Sequence, residues 1–293
     1  MRSFRWPTML FAVAAFGTTQ AADEAKSVDA RKKQAEANWA MVSDVPATRY
    51  ESKHFLILAP EAMAKRLKSV AELLEKHHDK AKEALKFEMK DDSGEVLPGK
   101  AIVYLLGERE QFKAFVRRIE RRRLQPDETS SMQAADDKLH IVVAPLAMRN
   151  GVPVEVQAGE QVAALMLARR AGIRTPLPDW LVSGFGRATY YRVAARDKTV
   201  VAERALAAKL SRKHGAEEIW DGKLAADEAT VLQASLVDFL AFGPGTRAFP
   251  KFVAGFTPEE NRERKTTGQA FESAGLKPDR VASSWKTWAA TAR

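Results

Sequence analysis

A chain of 293 residues, 45% hydrophobic and 29% charged, can bury a real core and lacks the composition of an extensively disordered polypeptide. It contains no cysteine, so no disulfide can brace it, and any metal site must be built from His, Asp or Glu. The formal charge of +9 comes with no nucleic-acid motif and no aromatic residues among the basic ones, which argues against nucleic acid as a partner.

The first residues read as a targeting segment. Arg2 and Arg5 give a positive start, MLFAVAAF is an apolar run, and Thr19-Gln20-Ala21 offers small residues where a signal peptidase cuts. The run is about ten residues long, against the ~20 needed to cross a bilayer, and no later window is long and apolar enough to span. The expectation is an exported protein, periplasmic or extracellular, with a signal peptide over 1–21 and no transmembrane segment in the mature chain. Removing Arg2 and Arg5 lowers the charge by two, to +7.

Residues 22–49 are polar and helix-prone and read as a peripheral helix and linker ahead of one domain over 50–293. Tyr50 to Ala59 is the first strand candidate, with Phe55-Leu56-Ile57-Leu58 as its buried run. A long helix is expected from about Pro60 to Phe87, since Leu67, Val70, Leu74, Ala81 and Leu85 recur at helical spacing, and DDSGEVLPG ends it. Lys100 to Leu106 reads as a second strand and Glu108 to Arg122 as a second helix. A third strand falls at the LHIVVA end of Ser131–Ala144. The remainder reads as helices: Val154–Ala171, Trp180–Ala195, Lys198–Lys213, Thr230–Phe242, a short piece near Phe249–Phe256 and a closing segment with Trp285 and Trp288. Strands alternating with helices and then helices alone predict an α+β fold, a small N-terminal sheet layer followed by a helical part.

The densest basic cluster is Arg117, Arg118, Arg121, Arg122 and Arg123, in FVRRIERRRLQP. It suits either contact with an anionic envelope polymer or the solvated end of a helix, where cations complement the C-terminal dipole; the second reading is favoured.

In order, the pieces KLHIVVAP, AGEQVAALMLARRAG, LPDWLVSGFGRATYY and AFESAGLKPDRVASSWKTWA resemble the peptidase-MA-like, or gluzincin-type, metallopeptidases. The resemblance runs from about residue 50 to 290, and Trp180-Leu181 to Tyr190-Tyr191 is its most distinctive stretch. Active members carry H-E-x-x-H on a helix. Residues four apart share a face, so two imidazoles hold one zinc, the Glu between them is the general base, and a Glu on the next helix is the third ligand. Overlaid on this sequence, the first His position is Gly159, the Glu is Glu160, the second His is Ala163 and the third ligand is Ser183. Glycine and alanine have no donor atoms and a lone serine hydroxyl is a poor zinc ligand, so the resemblance implies a degenerate member that has lost its zinc, with no cofactor and no catalytic residue beyond a remnant Glu160.

The five histidines offer no substitute at i, i+4 spacing. His77 and His78 are adjacent and point about 100° apart on a helix, while His54 and His140 read as ordinary sheet residues on strands that could neighbour one another. Ser183 in WLVSGFG superficially looks like a nucleophile elbow, yet Leu181 stands where that motif needs Gly. The expected remnant cleft lies along Glu160, Ser183, Tyr190 and Tyr191. Three functions remain in view: a non-catalytic, peptidase-like protein binding an unknown protein or scaffolding at the envelope; a hydrolase using a shifted or non-zinc site around Glu160; and a basic protein binding anionic envelope polymers.

Overall fold

The computed structural model describes residues 30–87, 97, 99–126, 128–135, 138–145, 152–258 and 265–291. The expected signal peptide, the start of the polar lead-in and most of the DDSGEVLPG loop lie outside the described residues.

Five strands form one sheet in the order β1-β2-β3-β5-β4, with β1 at Thr48–Glu51, β2 at Phe55–Ala59, β3 at Ala101–Leu105, β4 at Ser130–Gln133 and β5 at His140–Val143. The three central strands are parallel and the two outer ones antiparallel. FLILA, AIVYL and HIVV are buried along their whole length, as continuous apolar runs must be when both faces of a parallel sheet are covered. Alternation divides them. Phe55, Ile57, Val103, Leu105, Ile141 and Val143 face the main helical core, whereas Leu56, Leu58, Ile102, Tyr104 and Val142 face a second, smaller core.

That smaller core is closed by helix α1, residues 30–40, and by α3 (Arg109–Arg118). Ala35 and Trp39 of α1 are buried there with Phe112, Phe115 and Val116 of α3, and Asn38 Nδ2 donates to Tyr104 Oη at 3.1 Å. The N-terminal helix is thus built into the sheet's second face. On the other face lie α2 (Leu67–Leu85, entered through a 3-10 turn at Glu61–Arg66) and α4 (Val154–Ala171), with α5 (Asp179–Val193) packed against both. The chain continues through α6 (Lys198–Leu210), the short α7 (Ala216–Trp220), α8 (Ala226–Phe242), α9 (Phe249–Ala254), α10 (Thr267–Ser273) and α11 (Pro278–Thr291). The architecture is α+β, a small sheet N-terminal to a helical part. Trp285 closes it, fully buried, with Nε1 donating to Ser235 Oγ at 3.2 Å. No helix among the described residues is long and apolar enough to cross a membrane.

One expected strand is in fact a hairpin-like pair. Tyr50–Ala59 splits into β1 and β2 around Ser52-Lys53-His54, because Glu75 of α2 grips that turn: its Oε1 accepts from Ser52 Oγ at 2.6 Å and from the His54 amide at 2.9 Å. A clamp from 21 residues away leaves no trace in local alternation. The third expected strand stands at the LHIVVA end as β5, and Ser130–Gln133 ahead of it adds an antiparallel strand, β4, that was not expected. The expected adjacency of the His54 and His140 strands does not occur, since β3 runs between β2 and β5.

Candidate functional site

Helices α4 and α5 are joined by only seven residues and therefore pack as an antiparallel hairpin. Sequence lets them approach closely. A Cβ on Gly186 would lie 3.0 Å from the Glu160 carbonyl oxygen, so glycine sets the crossing there, while Gly184 allows the other side of α5 to rest on Gln233 and Val237 of α8. One turn away Val156 packs with Tyr190 and Tyr191.

At this crossing Glu160 is held by Arg187. Arg187 Nη1 donates to Glu160 Oε1 at 2.8 Å, while its Nε donates to Glu203 Oε2 at 2.9 Å and its Nη2 reaches Glu203 Oε1. Tyr191 Oη donates to the same Glu203 at 2.8 Å, and the guanidinium lies 5.0 Å from the Tyr190 ring centre. One buried cation thus binds two carboxylates from α4 and α6 across α5, the bidentate geometry for which guanidinium is suited. Burial pushes the Glu160 carboxyl above the ordinary carboxylate range, and Arg187 opposes the rise. The side chain is 24% exposed, so water tempers the shift as well. Burial, reinforced by Glu203, pushes the Tyr191 phenol well up, so it serves as a donor and stays neutral.

Gly159 has a different neighbour. A Cβ there would fall 2.5–2.7 Å from three ring atoms of His77, which projects from α2. Gly159 is the sixth residue of α4 and so belongs to the helix interior, where glycine costs about 0.5–1 kcal/mol relative to alanine; the imidazole resting on it is the reason it is there. The His77 ring is fully buried and parallel to Tyr190 at 6.1 Å between centres. Its Nδ1 donates to the Leu73 carbonyl at 3.0 Å, which leaves Nε2 a bare lone pair with no hydrogen-bond partner among the described residues. Burial lowers its pKa to about 4, so the ring is neutral near pH 7.

Of the residues expected to line a remnant cleft, Glu160, Tyr190 and Tyr191 do share one polar cluster. Ser183 is exposed and takes no part in it, and Ala163 is fully buried. His77, Arg187 and Glu203 belong to the cluster and were not expected. Arg187 follows Ser183 by four residues and so shares its face of α5, a spacing that could have drawn attention to it.

No protein-family model matches the chain, and no curated protein matches it either.

The basic cluster does not form one face. α3 ends at Arg118, Arg121 adopts a left-handed backbone (φ 53°), and Arg122 is turned inward against Glu120 and Glu128. Arg117, Arg118, Arg121 and Arg123 are exposed. Arg118 and Arg121 stand at a cavity of about 670 Å³ between α1 and the sheet, whose floor includes Ile102, Tyr104 and His140. His140 is buried and bonded through Nε2 to Glu120 at 3.1 Å, which makes it a structural pair within this wall.

One further group of titratable side chains converges outside the α4–α5 hairpin. His54, in the β1–β2 turn, meets Glu75 and His78 of α2, with one candidate donor atom from each residue lying within 4.8 Å of the others. Glu75 and His78 stand at i, i+3 on one face of α2, a spacing legible in the sequence, whereas the arrival of His54 from the β1–β2 turn is not.

Proposed function

We propose that this chain is an exported, non-catalytic relative of the gluzincin-type peptidases, kept as a binding or scaffolding module at the cell envelope. The observation that carries the reading is the occupation of the Gly159–Glu160 corner by the protein itself. The His77 imidazole lies against Gly159, and the Glu160 carboxylate is engaged by Arg187. A general base must reach a water or substrate proton within hydrogen-bond distance; here that acceptor is already bound to a guanidinium which is itself fixed by Glu203. Ser183, exposed and with no hydrogen-bonded base among the described residues, supports no nucleophile reading, and a hydrolase built around Glu160 would have to break the Arg187 pair first.

The test is hydrolysis of a denatured protein substrate by the purified mature chain, with and without added zinc. No turnover is expected, in the native chain or in Glu160→Gln. Turnover that disappears in Glu160→Gln would overturn the reading in favour of the hydrolase.

A second reading, binding of an anionic envelope polymer, is favoured by Arg118 and Arg121 standing together at the large cavity on the α1 side of the sheet. It predicts polymer binding that weakens steeply with salt and in Arg118→Ala plus Arg121→Ala. Salt-insensitive binding, or none, counts against it.

A further inference from the structure

Glu75 and His78 occupy one face of α2, and the β1–β2 turn delivers His54 onto that face. We propose that His54, Glu75 and His78 form a binding site for a divalent transition-metal ion of the zinc type, with three protein ligands and the remaining coordination positions open to solvent. Two imidazoles and one carboxylate are a donor set that first-row divalent ions accept readily, and the proposal stands independently of the peptidase-like reading.

The surroundings prepare the donors. The Glu75 carboxylate is oriented by Ser52 Oγ at 2.6 Å and the His54 amide at 2.9 Å, the kind of outer hydrogen bonding that fixes a ligating carboxylate. Burial alone would raise its pKa, but these bonds and the His54 ring more than offset that, so the group stays ionised. His78 is held neutral: burial lowers its pKa and the adjacent His54 adds to the effect. Its Nδ1 lies 3.2 Å from Asp79 Oδ1, which leaves Nε2 bare. Metal binding displaces protons from its donors, so zinc affinity here should rise with pH.

The geometry lies within reach of coordination. The His54 and His78 rings stack at 3.9 Å, and His54 Nδ1 is 2.6 Å from Glu75 Oε2. Tetrahedral donors about 2.1 Å from a zinc ion stand about 3.4 Å apart, so a cluster within 4.8 Å closes by rotating side chains and exchanging the His54–Glu75 hydrogen bond for bonds to the metal. His54 and Glu75 are 16% and 22% exposed, enough for an ion to enter, while His78 is almost fully enclosed. His78 and His77 point about 100° apart on α2, so an ion here faces away from Gly159 and cannot use Glu160 as its base.

Calorimetric titration of the chelator-stripped mature chain with zinc at neutral pH decides the matter. One equivalent should bind at micromolar concentrations, with affinity at least about tenfold weaker in His54→Ala and in Glu75→Gln and unchanged in His214→Ala. In the unsubstituted chain, the imidazole NMR signals of His54 and His78 should shift on zinc addition while those of His140 and His214 stay in place, which keeps the test valid if a variant misfolds. Absence of binding, binding that survives His54→Ala, or shifts confined to other histidines would overturn the proposal and leave the cluster as a clamp for the β1–β2 turn. Proteolysis dependent on Glu160 would contradict the non-catalytic reading and leave the metal site untouched.

Discussion

His77 is buried against Gly159, with Nδ1 bonded to the Leu73 carbonyl. An imidazole with a folded-state pKa of about 4, against about 6.5 when exposed, binds its proton less readily in the folded chain than in the unfolded one. Stability is therefore complete above the unfolded value, falls as the pH drops below about 6.5, and levels off below about 4, a loss of about 3 kcal/mol. Urea denaturation from neutral to acidic pH should show this decline in the native chain and a shallower one in His77→Leu; parallel curves would remove His77 as its source. Arg187 is the complementary case. Arg187→Ala leaves Glu160 and Glu203 facing one another without a cation, and a loss of about 3–5 kcal/mol is expected in the same measurement. A loss below about 1 kcal/mol would match a solvated surface pair instead.

At the scale of elements, the α4–α5 hairpin was the most legible part of the sequence. The bounds Val154–Ala171 follow from the apolar stripe Ala158, Val162, Leu165 and Met166, and α5 is marked by Trp180 and Leu181. The partners of that hairpin were not legible. His77 comes from a helix some eighty residues earlier, and Glu203 from α6, so neither leaves a local pattern. The split of Tyr50–Ala59 was hidden for the same reason, since Glu75 enforces it from a distance. The close fit of α2 on α4 changes what an engineered zinc site requires. Gly159→His, Ala163→His and Ser183→Glu together, in a His54→Ala background, should not bind zinc at micromolar concentrations while His77 fills the space over Gly159; adding His77→Ala should permit binding. Zinc binding in that background without His77→Ala, read by calorimetry, would mean that α2 yields there.

For the whole molecule, a chain with no cysteine must draw its stability from packing, and its sheet is covered on both faces to supply it. The polar character of residues 22–49 suggested a peripheral lead-in, yet Ala35 and Trp39 recur on the inner side of α1 and bury against the sheet. Trp39 is 4% exposed, and its Nε1 donates to the Val45 carbonyl at 2.7 Å. Trp39→Ala is expected to cost about 3–5 kcal/mol and to open the Tyr104 side of the sheet, detectable as a lowered melting temperature with increased binding of a hydrophobic dye. A cost under about 1 kcal/mol would make α1 an appendage. Since α1 also walls the large cavity, the same substitution should weaken any anionic ligand held there.

The filling of the Gly159 face by His77 is the point on which the non-catalytic account turns, and a double-mutant cycle in urea reads it directly. Gly159→Ala in the native chain should destabilise by about 1–3 kcal/mol, because overpacking against the ring outweighs alanine's better helix propensity. In a His77→Ala background the same substitution should become neutral or stabilising, a coupling of about 1–3 kcal/mol. An equal effect in both backgrounds would mean that the imidazole does not rest on Gly159, and that the corner beside Glu160 stands open.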